Sequence, residues 1–399
     1  MSVATSQQQV FLRLLRQLAP HWRRDAALPR RIQQLLSGER SFGSRDRRLY
    51  RELLYTTLRY LPWIESDLER EPARVVKSAA WLAADTRDTR AYRGETCADW
   101  PTLSSLAERA NFLKADAEAL LPTWFRDECP EIFTPTELAA QLARAPLWLR
   151  LQTERPEDVR AEFEAVDWRI KESPALPSAW RILGDGDVTK SKAYTRGLIE
   201  IQDLGSQLVL ESIGLEAGER WLDACAGAGG KTLQLARLLG GDGSVDAHDI
   251  RAAALDELLA RAERAGLENV RTVDAPEPAA YDGVLVDAPC SGSGTWRRSP
   301  HLKWTTTPAQ IVEKARLQQT LLDKFAGYVR PGGRLVYATC SLSPQENARV
   351  VDAFLSAHSE FQPVPLARTF GFAPVRNAIT ILPARHDTDG FFVAALRRR

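Results

Sequence analysis

The 399-residue sequence contains no run of eighteen or more apolar residues, so no membrane-spanning helix and no membrane partner are expected. Its start, MSVATSQQQVFLRLLRQ, has no charged segment leading into a long apolar one and does not read as a secretory signal. Cysteine is scarce. Cys97, Cys129, Cys225, Cys290 and Cys340 are odd in number and widely spaced, with no CxxC pair, which argues against a disulfide framework and a zinc module. No metal is expected, and a reducing cytoplasm is the default compartment. Internal repeats and low-complexity tracts are lacking too. Lysine is absent from the first sixty residues, which hold twelve arginines against four acids, although the whole chain carries a net charge of only +1. The arginine clusters HWRRDAALPRR (21–31) and SRDRRLYR (44–51) suit phosphate, and equally suit a solvated helical face; charge alone leaves both open.

What is present divides into three textures. A hydrophobic content of 44% is enough for two or three domains with their own cores. Residues 1–125 read as helical: VFLRLLRQL and RRLYRELLYTTLRYLPWIESDL carry apolar residues at helical spacing. The polar stretch ADTRDTRAYRGETCADWP (84–101) reads as a loop. From 126 to 200, short segments broken by Pro and Gly (PLWLRLQT, AWRIL, GLIEIQD) suggest a small linking α+β region. From 201 to 399, short apolar strands alternate with amphipathic helices. RWLDA (220–224), GSVDAHDI (243–250), NVRTVDA (269–275), YDGVLVDAP (281–289) and GRLVYATC (333–340) are the strands. Such alternation predicts an α/β fold with a doubly wound, mostly parallel sheet, in which ligands sit at the carboxyl ends of the strands.

The first of these strands runs into DACAGAGGKT (223–232), whose glycines would let the backbone approach a ligand at the start of the next helix. A Walker A loop fails because Cys225 stands where its first glycine belongs. The dinucleotide fingerprint fails because Thr232 stands where its last glycine belongs. A shorter GxG loop remains, of the kind that binds S-adenosylmethionine. Asp249, at the end of the second strand, could accept hydrogen bonds from both ribose hydroxyls. Asp274, at the end of the third, suits the adenine amino group. Each acid alone is as easily a surface residue; the three features in order favour a cofactor site.

The fourth strand ends in DAPCSGSG (287–294) and the fifth in TCSLSPQEN (339–347), so Cys290 and Cys340 fall on one rim beside the glycine loop. One cysteine is most simply a small apolar filler. Two at adjacent strand tips, each followed by serine, are not. Ser343 as N-cap, Pro344 at N1 and Glu346 at N3 predict a capped helix just after Cys340, whose dipole would favour a thiolate. A thiolate beside a methyl donor suits cytosine: its addition at C6 makes C5 nucleophilic enough to take a methyl group. Asp287 is placed to neutralise charge near N3 or the exocyclic amine. A second thiol, Cys290, can assist loss of the C5 proton and release of the enzyme sulfur.

These residues resemble the Sun/nucleolar-protein family of RNA cytosine-C5 methyltransferases. DACAGAGGKT is similar to the family's D-x-C-A-A-P-G-G-K-T, DAPCSGSGTWRRSPHLKW (287–304) to D-A-P-C-S-G-x-G followed by R-R-x-P-D-x-x-W, and YATCSLSPQEN (337–347) to Y-x-T-C-S-x-x-x-x-E-N. IEIQDLGSQLV (199–209) and the closing HDTDGFFVAALRRR (386–399) match as well. The resemblance implies a seven-stranded class I, Rossmann-like methyltransferase domain with S-adenosylmethionine as cofactor. Cys340 would be the nucleophile and Cys290 would help release product. Cys225, Ala226, Gly227, Ala228, Gly229, Gly230, Lys231, Asp249, Asp274 and Asp287 would line the cofactor site. FGSRDRRLYRELLYTTLRY (42–60) resembles part of a NusB-like RNA-binding domain. Departures from the family pattern are Gly227 for Ala, Ala228 for Pro, Gln152 for Asn and His301 for Asp.

The expectation is therefore a monomeric enzyme acting on RNA, ribosomal RNA foremost, with Arg297, Arg298 and the arginine-rich helices holding the backbone. The same chemistry on transfer RNA, and an inactive RNA-binding ribosome-assembly factor, are the alternatives.

Overall fold

The computed structural model describes residues 3–184 and 186–399. It falls into two compact units, one formed by Met1–Arg144 with Thr295–Thr307 and the other by Ala145–Gly294 with Pro308–Arg399.

The first unit is helical. Its helix Val3–Leu18 buries Phe11, Leu14, Leu15 and Leu18, and its helix Ser44–Arg59 buries Leu49, Leu53, Leu54 and Leu58, the three-and-four spacing that gives a helix one apolar face. The polar stretch 84–101 is not wholly loop. It carries a helix, Arg87–Thr96, started by Thr86, whose hydroxyl accepts from the Thr89 N–H while the Thr89 hydroxyl accepts from the Thr86 N–H. Reciprocal capping of this kind compensates for a weakly apolar sequence, and buried Tyr92 anchors it. The segment Thr295–Thr307 belongs to this helical core. Trp296 packs on Phe125, and the Lys303 ammonium, 1% exposed, donates to the carbonyls of Arg59 and Leu120 at 2.8 and 3.0 Å. Arg297, expected on an RNA backbone, is 1% exposed and donates to the Arg144 carbonyl. His301 is buried as well, and burial pulls its pKa down to about 4, so it is neutral at pH 7. The RRSPH stretch is thus largely interior, because its tryptophan and cation stems follow the apolar demand of the helical core.

The second unit holds two sheets. Strands β1 (Leu147–Leu151), β2 (Arg169–Glu172), β3 (Ala179–Leu183) and β4 (Ile199–Ile201) make an antiparallel sheet in the order β2-β3-β1-β4. The larger sheet contains β5 (Arg220–Asp223), β6 (Ser244–Ala247), β7 (Val270–Thr272), β8 (Tyr281–Asp287), β9 (Val329–Thr339), β10 (Phe361–Val364), β11 (Ile379–Ile381) and β12 (Phe391–Arg398). Its order is β10-β12-β9-β8-β5-β6-β7, with β5 to β9 parallel and β12 antiparallel to β9. Strand β11 shares an edge of β12 with β10, so the sheet has eight strands in seven positions. Fully buried Val284, Leu285, Val286, Leu335, Val336 and Tyr337 on β8 and β9 read as continuous apolar runs, as a strand covered on both faces requires. The order reverses about β5 and β8, which places a crevice at their carboxyl ends. No helix among the described residues is long and apolar enough to cross a membrane.

Candidate active site

The glycine loop leaves β5 with Gly227 at φ 53° and Gly229 at φ 88°, left-handed conformations that side chains avoid. A Cβ on Gly229 would also come within 2.7 Å of Leu258 and 2.8 Å of Leu233, so the loop packs directly on the helices Gly230–Leu239 and Ala252–Arg264. Two buried guanidinium systems hold it from behind. Arg261 donates to the Ala228 carbonyl at 2.5 Å and to Glu200 at 2.9 Å, and Glu200, 2% exposed, also accepts from Arg264 at 2.5 Å. Arg150, 4% exposed, donates to the Gly230 carbonyl at 2.9 Å, to Gln202 at 2.5 Å and to Gln152 at 3.3 Å. Burial pulls the Arg150 pKa down to about 9, still a cation at neutral pH. Gln152 is therefore a partner of Arg150 inside the second unit.

Asp249, just beyond β6, accepts from the Gly227 N–H at 2.9 Å, and from the backbone N–H, Nε and Nη2 of Arg251, each at 2.9 Å. The hydrogen bonds from Arg251, and those from the backbone, hold its carboxyl down at about 2, so it is ionised and an acceptor. Ile250 follows it and is 93% exposed, an apolar side chain open to a ligand. Asp274 lies exposed two residues past β7, the strand beside β6. Cys225 is half-buried, and burial first, with the charges of Asp223, Asp287 and Asp249, pushes its thiol well up; it serves the loop as a neutral packing group. Lys231 is buried and reaches Asp287 at 2.9 Å, while also lying 5.2 Å from the Phe391 ring.

At the ends of β8 and β9, the Sγ atoms of Cys290 and Cys340 stand 3.3 Å apart. The Cys290 thiol is raised well above its usual range, first by its hydrogen bond with Cys340, then by burial and by the Cys340 and Glu346 charges. Ionisation of Cys290 is therefore disfavoured. The close backbone approach is set by Gly294, whose N–H donates to the Cys340 carbonyl at 2.9 Å and whose own carbonyl accepts from Gly390 at 2.7 Å. A Cβ there would meet the Gly390 oxygen at 2.1 Å. The Ser343 hydroxyl does accept from the Gln345 N–H at 3.2 Å, but residues 344–347 form turns and the helix starts later, at Ala348–Ala357. Glu346 does not cap it. Its carboxylate instead accepts from Ser291 and Ser341, the residues that follow the two cysteines. Cys340 thus takes no dipole from a helix start.

A parallel sheet with a glycine loop on its first strand, an acid at the end of its second and a ligand crevice at its reversal point defines a Rossmann-like, S-adenosylmethionine-dependent methyltransferase. The residues present fit that cofactor: Gly227 leaves room where a Cβ would touch only Arg251, Asp249 is an ionised acceptor and Ile250 is uncovered. The chain belongs to the family described as 16S rRNA methyltransferase RsmB/F, whose model matches residues 211–397. It is 32% identical over 302 residues to ribosomal RNA small subunit methyltransferase B of Enterobacter sp., a match spanning 72% of this chain and 68% of that one. It is 35% identical over 236 residues to a probable ribosomal RNA small subunit methyltransferase B of Synechocystis sp., where the match spans 56% of this chain and about half, 53%, of the relative. Among solved structures, a methyltransferase homolog protein from Pyrococcus horikoshii is 28% identical with a TM-score of 0.59, over 69% of this chain and 93% of that one.

Arg150, Glu200, Arg261 and Ile250 were not singled out as site residues from sequence. Glu200 lies 61 residues from Arg261, and nothing local links them.

Proposed function

We propose that this chain forms 5-methylcytosine in RNA, ribosomal RNA foremost, with Cys340 as nucleophile. The carrying observation is the pair of sulfurs 3.3 Å apart at the ends of β8 and β9, on the same rim as the glycine loop. Bound S-adenosylmethionine supplies the methyl group from its sulfonium. The glycine loop, Asp249 and Lys231 would hold it, with Ile250 against the base. The target cytosine must leave its stack to reach the sulfur, which favours single-stranded or opened RNA. The Cys340 thiolate forms a bond to C6, and the electron pair displaced from the C5–C6 double bond makes C5 the nucleophile. Asp287, 2.9 Å from Lys231, accepts from the exocyclic amine and orients the ring. After C5 has gained the methyl group, Cys290 passes its own proton to water and takes the C5 proton; the C5–H electron pair re-forms the C5–C6 double bond, and the C6–S bond breaks with its electron pair returning to Cys340. The assignment of nucleophile to Cys340 is supported by surroundings that oppose ionisation of Cys290. Exposed Arg24, Arg30, Arg40 and Arg51 of the helical unit suit the phosphate backbone.

The test incubates purified protein with labelled S-adenosylmethionine and small-subunit ribosomal RNA. Label on cytosine C5, and a denaturant-stable RNA–protein complex that maps to Cys340, are expected. Label on another base, or activity retained in full by Cys340→Ala, would sink the reading.

A further inference from the structure

Glu346 is fully buried, and its charge is met by four hydrogen-bond donors. One carboxylate oxygen accepts from the Ser291 N–H at 2.8 Å and from Gln318 Nε2 at 3.1 Å. The other accepts from the Ser291 hydroxyl at 2.5 Å and the Ser341 hydroxyl at 2.6 Å. Ser291 directly follows Cys290, and Ser341 directly follows Cys340. A single side chain therefore grips the residue next to each cysteine, across two loops some fifty residues apart in sequence.

Its own position is fixed in turn. The Tyr337 hydroxyl of β9 donates to the Glu346 carbonyl at 2.5 Å. The neighbouring Asn347 accepts from Thr339 at 2.6 Å and donates to the Ser341 carbonyl at 2.9 Å. Ser293 joins the same loops from the other side, meeting the Ser341 hydroxyl at 3.0 Å and accepting from the Leu342 N–H at 2.8 Å. A buried carboxylate with this many oriented donors is stable only in one loop arrangement, because moving either loop leaves donors and a charge unsatisfied.

We propose that Glu346 is the positioning residue that sets the two cysteine loops against each other and makes the sulfurs unequal, leaving Cys340 the more reactive. Geometry carries the first half: the carboxylate spans Ser291 and Ser341. The uneven grip carries the second: the carboxylate takes both the N–H and the hydroxyl of Ser291, beside Cys290, but only the hydroxyl of Ser341, beside Cys340. Cys290 faces Cys340, Glu346 and the Gly292 N–H, and the Glu346 anion opposes its ionisation. Burial first, and then the charges of Cys290, Glu346, Asp287 and Cys225, hold Tyr337 as a neutral phenol, so it supplies no competing anion. The inference rests on the proposed function only in taking Cys290 and Cys340 as the reacting pair.

Two measurements on the full chain, without RNA or cofactor, test it, so that failure of methyl transfer would leave them readable. Diamide takes two electrons and two protons from two thiols, forming a disulfide and a hydrazine, and the Cys290–Cys340 linkage is followed by peptide mass. Glu346→Ala should slow this linkage by about tenfold, the scale of one lost hydrogen bond to a charged group. Iodoacetamide at limiting dose should label Cys340 in preference to Cys290 in the native chain. Glu346→Gln, which removes the charge and keeps one acceptor, should bring the two yields together, an effect that loss of stability alone would not produce. Linkage at the native rate in Glu346→Ala, or an unchanged labelling ratio in Glu346→Gln, overturns the proposal. If Glu346→Ala does not fold, Ser291→Ala and Ser341→Ala each remove one donor; each should slow linkage by about threefold, and no slowing in either is likewise fatal to it.

Discussion

The glycine loop and the cysteine loops lie on one rim of one sheet, yet they are held by opposite charges. Behind the glycine loop stand cations: Arg261 on the Ala228 carbonyl and Arg150 on the Gly230 carbonyl. Between the cysteine loops stands an anion, Glu346, on hydroxyl and amide hydrogens. The difference follows from what each loop must leave free. Cations that engage the Ala228 and Gly230 carbonyl oxygens occupy acceptors that an incoming ligand would otherwise meet. An anion that engages N–H and hydroxyl groups sets the two sulfurs against each other and opposes ionisation of Cys290. Support from behind serves binding in the first case and reactivity in the second.

The comparison breaks most visibly at the sulfurs. Cys340→Ala should lower methyl transfer by at least about a thousandfold, since no other group on the rim replaces a covalent nucleophile. Cys290→Ala should keep the covalent step and stall release, so that RNA–protein complex accumulates on a denaturing gel while turnover falls by about a hundredfold. If the complex vanishes in Cys290→Ala and persists in Cys340→Ala, the roles of the two strand ends are exchanged.

On the binding side the expected effects are smaller. Asp249→Ala should weaken S-adenosylmethionine binding by about thirtyfold, as loss of about 2 kcal/mol of hydrogen bonding to a charged acceptor implies, measured by calorimetry. Arg261→Gln should weaken it by about five- to tenfold through the loop alone, and Glu200→Gln should do the same by releasing Arg261 and Arg264 together. If Arg261→Gln left affinity unchanged while Asp249→Ala reduced it, the cations would be packing the loop without shaping it.

Much of this rim was legible in the sequence because it is written locally. The glycine loop, Asp249 and the strand-end cysteines are short patterns at strand tips, and β5 to β9 alternate with their helices within a few residues of the expected limits. The misreadings have one physical origin. Ser343, Pro344 and Glu346 satisfy a capping pattern by composition, but the carboxylate finds four donors across the loops, and that tertiary gain outweighs one local cap. Arg297 read as a surface cation because charge in sequence does not reveal burial, whereas its flanking Trp296 is fully buried and draws the segment inward. Arg150, Glu200 and Arg261 carry no local signal at all, because their meeting at the glycine loop depends on the antiparallel sheet β2-β3-β1-β4 lying beside the helix that bears Arg261.

The smallest expected effect separates the two regions by pH. Asp223 ends β5 directly before the glycine loop, is 1% exposed and accepts from Thr232 at 2.7 Å. Burial pushes its pKa from 3.8 to about 7; the Thr232 hydrogen bond opposes this, the Asp287 charge adds to it and Lys231 opposes it. Because the folded value lies above the unfolded one, the folded chain binds the extra proton between about pH 4 and 7. The stability this group contributes is fully present below the unfolded pKa and is lost as pH rises through the folded one. Asp246 and Asp249 act in the opposite sense, since their folded values are depressed and their contribution is lost only as pH falls. The difference between native chain and Asp223→Asn therefore isolates Asp223. Melting temperature should fall more steeply from pH 5 to 8 in the native chain than in the variant, by a few degrees in differential scanning fluorimetry. Equal slopes would show that Asp223 stays ionised, and would place a second fixed anion under the loop that Arg150 and Arg261 hold. The cationic support would then answer a charge beneath the loop as well as its carbonyls, and Arg261→Gln should cost as much at pH 5 as at pH 8.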